Sequence, residues 1–331
     1  MQNHSSFTTR RLLSAAAAAF ICAVVAPVGA QPAWPSKPVR LVVPFPPGGG
    51  TDTMGRLFAA KLSEIWGQPV VVDNRSGANG NIGSDAVARS APDGHTLVLS
   101  GVGTHMINAS LYKKPLYDPV RDFSHIALIA TGPNLLIMSP SAPFNSVDEL
   151  VRYARANPGK LSYTSGGNGS SGHLAMEMLK SRAGIFIVHV PHRGGGPAIS
   201  DVMAGQIPMM FTNLEVVLEN VKAGKLKGIA VSSPERSRAA PDIPAVAEAG
   251  FPGFAAVSWY GVSGPPGMAP ALVQKIHVDV RTVMSQPDVR SRFAAQGFDM
   301  GDFSPAQFSS WVQAGVVQWA QAVKASGAQA D

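Results

Sequence analysis

Gly167-Asn168-Gly169-Ser170-Ser171-Gly172 carries the G-x-G-x-x-G spacing of a dinucleotide fingerprint, in which glycines let the backbone approach a pyrophosphate at a helix start. The acidic residue that should bind a ribose about twenty positions on is missing, because Ile187 to Arg193 holds no carboxylate. An NADP-dependent oxidoreductase using Arg193 for the extra phosphate is one reading of this loop. The other is a plain anion nest, which needs only backbone N–H groups, including those of Gly166, Gly167 and Gly169, and the hydroxyls of Ser165, Ser170 and Ser171. Gly169-Ser170-Ser171-Gly172 lacks the G-x-S-x-G spacing of a hydrolase elbow. His189 and His192 lie three apart on a strand-like run and point to opposite faces, and His105 and His125 have no ligand partner at helical spacing, so no metal site is expected. His173 stands apart as the histidine in the first turn after the loop.

A second loop has the same character. Pro46-Pro47-Gly48-Gly49-Gly50-Thr51 follows an apolar run ending at Phe45 and precedes a helical pattern, so Gly48, Gly49, Gly50 and Thr51 offer donors at another helix start. Asp52 reads first as a cap balancing the helix dipole and second as a ligand contact, since a carboxylate there repels an anion. Gly101-Val102-Gly103-Thr104, after the strand-like Thr96 to Leu99, is a third turn that reaches the same edge through Gly103.

These loops belong to a repeat. Leu41 to Phe45 reads as a strand, Asp52 to Trp66 as an amphipathic helix with Met54, Leu57, Phe58, Leu62 and Ile65 on one stripe, and Val70 to Val72 as a strand. Later in the chain Leu161 to Thr164, Gly172 to Arg182 and Ile187 to Val190 repeat that order. Each unit then enters another glycine-rich turn, at Gly77 to Gly80 and at Gly194 to Gly196. Two similar α/β lobes follow, their loops facing one another as a clamp on a small anion. Ser146 to Glu149 is a capping box, and Ser304-Pro305-Ala306-Gln307 starts a last helix that braces a lobe. Crossings between lobes are expected near Leu135 to Met138 and Ser258 to Val262.

Residues 1–30 read as a secretory leader, with Arg10-Arg11, an apolar Leu12 to Val25 too short to span a bilayer comfortably, and Val28-Gly29-Ala30 as a cleavage site. An N-terminal anchor is the alternative. Cys22, the one cysteine, lies in that segment, so the exported chain has no thiol chemistry and no disulfide. Without Arg10 and Arg11 the 27 basic residues become 25 against 21 acidic, a formal +4 with no basic run, which suits small anions and makes nucleic acid a poor candidate. A chain of 331 residues exceeds the usual size of one core and predicts two domains.

The chain resembles the Bug family, the periplasmic solute-binding proteins of tripartite tricarboxylate transporters. The likeness rests on Trp34-Pro35-Ser36-Lys37-Pro38, Val43 to Asp52, Asn74 to Gly80, Ala91-Pro92-Asp93-Gly94, Tyr117-Asp118-Pro119, Gly167 to Ser170, Val188 to Pro191, Pro241 to Gly250 and Ala294-Ala295-Gln296-Gly297. It implies a type II periplasmic-binding-protein fold, with two α/β lobes, a hinge and a central cleft. On that fold residues 34–135 and 256–331 form one lobe and 136–255 the other. It also implies a non-enzymatic protein without cofactor, monomeric in the periplasm, that passes a small carboxylate to a membrane permease. In the family one carboxylate is held by the loop that maps to Phe45 through Thr51, and the facing loop maps to Ser165 through Ser171. The family's Phe-Asp-Asn segment is Phe211-Thr212-Asn213 here, which places Thr212 and Asn213 at the site. Losing that aspartate removes a partner for a ligand ammonium, favouring di- or tricarboxylates or aromatic acids over amino acids. A subunit that signals to a membrane sensor would use the same site.

Overall fold

The computed structural model describes residues 34–48, 50–192 and 194–330. The leader expected at residues 1–30 lies outside them, as do Gly49 and Arg193. The described helices and strands all lie in the compact unit that begins at Lys37.

Its first part is a βαβαβ unit: β1 (Val39–Val43), α1 (Gly50–Trp66), β2 (Val70–Asn74), α2 (Asn81–Ala88) and β3 (Thr96–Gly101). The same order returns as β5 (Ser162–Ser165), α5 (Ser171–Ala183), β6 (Val188–Pro191), α6 (Gly195–Met203) and β7 (Met209–Asn213). Between them lie the short helix α3 (Asn108–Leu111), the long strand β4 (Ser124–Met138) and α4 (Val147–Ala156). After them come α7 (Leu214–Lys222), β8 (Lys227–Val231), β9 (Val257–Gly264), α8 (Pro270–Ser285), α9 (Pro287–Gln296), β10 (Asp299–Met300) and α10 (Pro305–Ser326). The strand order is β2-β1-β3-β9-β4-β7-β5-β6, with β8 and β10 also paired to β4. Within each repeat the strands are parallel, so the loops that leave their carboxyl ends gather at one edge.

β4 joins the two arrays. From Ser124 to Pro133 it pairs antiparallel with β9, and from Asn134 to Met138 with β7 and β8. Its far half is buried on both faces and alternates by the period of two. Leu136 and Met138 enter one core with Phe211 and Leu174, while Leu135 and Ile137 enter another with Met210 and Leu214. The last helix packs Phe308, Val312, Trp319 and Val323 in the same core as Met106, Trp259 and Leu174.

Two details differ from the sequence reading. β1 ends at Val43 instead of Phe45, because Pro44 has no N–H to offer a ladder; the chain leaves the sheet there and the Val43 carbonyl accepts from Arg75 N–H at 2.9 Å. On α1 the buried ridge runs through Met54, Phe58, Leu62 and Trp66 in steps of four, and Ile65 is turned outward. Trp66 closes that ridge by donating from Nε1 to Asp279 Oδ2 at 2.6 Å.

The start of α5 lies hard against β7. A Cβ on Gly172 would stand 2.0 Å from the Phe211 carbonyl oxygen, so only glycine permits this approach. Gly172→Ala is expected to lower the unfolding free energy by about 1–3 kcal/mol, measured by urea denaturation, whereas Gly196→Ala, where a Cβ meets nothing within 4 Å, leaves the core packing intact.

Candidate functional site

Four helices begin at one cleft. Gly50 and Thr51 of α1, Ser171 and Gly172 of α5, Gly195 and Gly196 of α6, and Asn213 at the cap of α7 all line it. The cleft consists of a cavity of about 160 Å³ that reaches Ser100, Gly103 and Ser258, and one of about 390 Å³ that reaches Gly166, Gly194 and Thr212. Both are lined by Phe45, Thr51, Asn79, Ser170, Ser171 and Tyr260. Among the described lining residues there is no lysine or arginine. Positive potential therefore comes from the N–H groups and dipoles of helix starts, whose first turns lack intrahelical partners. Such a surface takes an oxyanion without a countercharge.

Several predicted residues build the loops from behind. Asp52, 3% exposed, accepts from Gly48 N–H at 2.9 Å, Asn74 Nδ2 at 2.9 Å and Arg56 Nε at 2.9 Å. Asn74 Nδ2 also reaches the Phe45 carbonyl at 3.1 Å, so this carboxylate and amide hold the first turn closed. The Arg56 hydrogen bond, with those from Gly48 and Asn74, holds the Asp52 carboxyl down at about 2 against a smaller cost of burial. Gly48 and Asp52 are not among the residues lining the cleft.

The facing loop is organised the same way. Ser165, fully buried, bonds His189 Nε2 at 2.7 Å and donates to the Gly167 carbonyl at 3.1 Å. Ser170 caps α5 by accepting from His173 N–H at 3.3 Å, and Gly167 O accepts from Ser170 N–H at 3.1 Å. Gly169 N–H donates to His173 Nδ1 at 3.0 Å, which assigns the imidazole proton to Nε2. Burial pushes His173 down to about 4, so the ring is neutral at pH 7; it stacks on His189 with centroids 4.0 Å apart. His173, Ser165 and Gly167 thus stand behind the loop, while Gly166, Gly169, Ser170 and Ser171 line the cleft. Among the described residues no cluster of histidine, cysteine, aspartate or glutamate could hold a metal.

Asn134, at the β4 partner change, links the loop to the frame. It is fully buried; Nδ2 donates to the Ala256 carbonyl at 2.8 Å, and Oδ1 accepts from Ser171 Oγ at 3.0 Å. Ser171 Oγ in turn accepts from Ser258 Oγ at 3.1 Å.

Asn79, Ser258, Tyr260 and Glu215 line the cleft without having been singled out in the sequence. Asn79 sits in the Gly77–Gly80 turn at φ 52°, a conformation asparagine tolerates, and its Nδ2 donates to Asn108 Oδ1 at 2.9 Å. Asn108 answers to the Asn79 carbonyl at 3.0 Å and to Asn81 Oδ1 at 2.7 Å, fixing that turn. Ser258 and Tyr260 are two apart on β9, a spacing that the strand-like run Ser258 to Val262 already contained.

The chain matches, over residues 54–328, the family model described as tripartite tricarboxylate transporter family receptor. It is 35% identical over 307 residues to protein BugT of Bordetella pertussis, covering 92% of this chain and 94% of that one. Among solved structures it is similar to R. palustris Rpa4515 with adipate, at 36% identity and TM-score 0.82 over 89% of this chain and 98% of the other. It is likewise similar to MatC (Rpa3494) from Rhodopseudomonas palustris with bound malate, at 32% identity and TM-score 0.79 over 88% and 100%.

Because the folded Asp52 carboxyl lies at about 2, below its ordinary 3.8, its contribution to stability is complete above pH 4 and fades as pH falls toward 2. Asp52→Asn is expected to lower Tm at pH 7, and the gap to wild type narrows as the pH of a thermal melt is lowered through that window.

Proposed function

Since the chain belongs to the tripartite tricarboxylate transporter receptor family, we propose that its cleft captures a small carboxylate with uncharged donors and presents it to a membrane permease. It is a solute-binding receptor with a mixed α/β fold like that of periplasmic binding proteins, and not an enzyme. The observation that carries the ligand class is the convergence of helix starts on a cleft without lysine or arginine among its described lining residues. Thr51, Asn79, Ser170 and Asn213 supply side-chain donors beside those N–H groups. That solved structures of relatives are described with adipate and with bound malate supports the same class of ligand here.

In this reading the leader at residues 1–30 exports the chain to the periplasm, where it works as a monomer. No helix among the described residues is long and apolar enough to cross a membrane. Residues 34–135 with 256–331, and 136–255, act as the two lobes, hinged where β4 and β9 pass between them. Ligand drives closure through contacts made to both loops at once.

A thermal-shift screen of the purified protein against di- and tricarboxylates, aromatic acids and nicotinamide cofactors tests the reading. Ligand at about a hundred times its Kd adds about 2.7 kcal/mol of stability, so carboxylates are expected to raise Tm and cofactors to leave it unchanged. Thr51→Val is expected to weaken the best carboxylate by about 1–3 kcal/mol in calorimetry. A shift with NADP alone overturns the proposal.

A further inference from the structure

Glu215 is the second residue of α7 and lines the larger cavity beside Gly50, Thr212 and Tyr260. Its Oε1 accepts from Asn213 Nδ2 at 3.1 Å and from Tyr260 OH at 3.3 Å, which fixes the carboxyl toward the cleft. Among the described lining residues of both cavities it is the one acidic or basic side chain. It also walls a neighbouring cavity of about 120 Å³ formed with Leu57, Arg292, Phe293 and Phe298, so it stands between that cavity, with its one arginine, and the larger one.

A ligand whose carboxylate rests on the starts of α1 and α5 directs its other end along this wall. A second carboxylate brought against Glu215 either repels it, in a partly desolvated site where repulsion is far stronger than in water, or forces one of the two acids to take up a proton, and both outcomes cost binding energy. A hydroxyl or ammonium group instead finds a fixed acceptor. The sequence argument against amino acids rested on Thr212 standing where relatives carry aspartate; Glu215 lines the same cavity and returns a carboxyl to it. Burial pushes the Glu215 carboxyl up from its ordinary value against the pull of Asn213 and Tyr260, and a hydroxyl or ammonium donor from the ligand favours its ionised form. Resting on the proposed carboxylate-binding role of the cleft, we infer that Glu215 determines its specificity, accepting a hydrogen bond from a hydroxyl or ammonium group on the ligand and selecting against acids that lack one.

Calorimetry with matched sets tests this: succinate, malate and aspartate, and glutarate, 2-hydroxyglutarate and glutamate. Wild type is expected to bind the better substituted member of a set at least tenfold more tightly than the unsubstituted diacid. Glu215→Gln keeps an acceptor for Asn213 and Tyr260 and removes the charge; it is expected to cut that ratio at least fivefold, mainly by weakening the substituted member, since relief of repulsion acts alike on every diacid of a set. Glu215→Ala, checked for folding by its melt, is expected to shift the ratio the same way. A wild-type preference for the unsubstituted acids, or a ratio unchanged in both variants, overturns the inference. Failure of every acid in both sets to bind wild type contradicts the carboxylate reading of the cleft itself, and this inference with it.

Discussion

The side chain of Asn134 is the joint on which the arrangement depends. It sits at the residue where β4 stops pairing with β9 and starts pairing with β7 and β8, and it is fully buried. One amide group bonds the Ala256 carbonyl of the returning segment while its oxygen takes the Ser171 hydroxyl at the start of α5. Its backbone N–H donates to Ser232 Oγ at 2.8 Å, and its carbonyl accepts from Ser232 N–H at 2.8 Å. Unmade hydrogen bonds are costly in such a place, so the register of β4 and the position of the anion loop are set together.

The cleft beside that joint has no lysine or arginine among its described lining residues. Lysine or arginine in the wall would bind a carboxylate strongly but would also need a countercharge, or bear its own desolvation cost, when the cleft is empty. Helix starts avoid this because their dipoles are fixed by the fold and their N–H groups are already oriented. Asp52 and His173 serve the two loops from behind, one as an ionised carboxylate and one as a neutral imidazole, each accepting a loop N–H at 2.9 and 3.0 Å. Both of these groups stand outside the donors, and Glu215 is the one acidic or basic side chain among the described lining residues.

Much of this was legible in the residues. Glycines and prolines punctuate both βαβαβ units, so the repeat, the loops and the capped helix at Ser304 could be read directly, and that helix shows its full capping box. Strand ends moved where Pro44 removed a ladder donor, and Trp66 displaced Ile65 from the buried ridge because a step of four fits the packing better than a step of three. The division of labour within the loops was not legible: Ser165, Asp52 and His173 have the same polar chemistry as true lining residues, and only the direction of each side chain separates them. Asn134 stands just before the apolar run Leu135 to Met138, and Glu215 is an acidic residue in the first turn of α7, so neither carries a signal in the sequence. Tertiary neighbours such as Ala256 and Tyr260, far off in sequence, give those two their roles.

The most direct measurement is a crystal structure of the protein with a bound carboxylate. The account predicts one carboxylate between the β1–α1 and β5–α5 loops, its oxygens within hydrogen-bond distance, direct or through one water, of Thr51 and of the first turn of α5, with no lysine or arginine in contact. A carboxylate found instead on Lys180 beside His173 and His189, in the pocket behind the second loop, would contradict it.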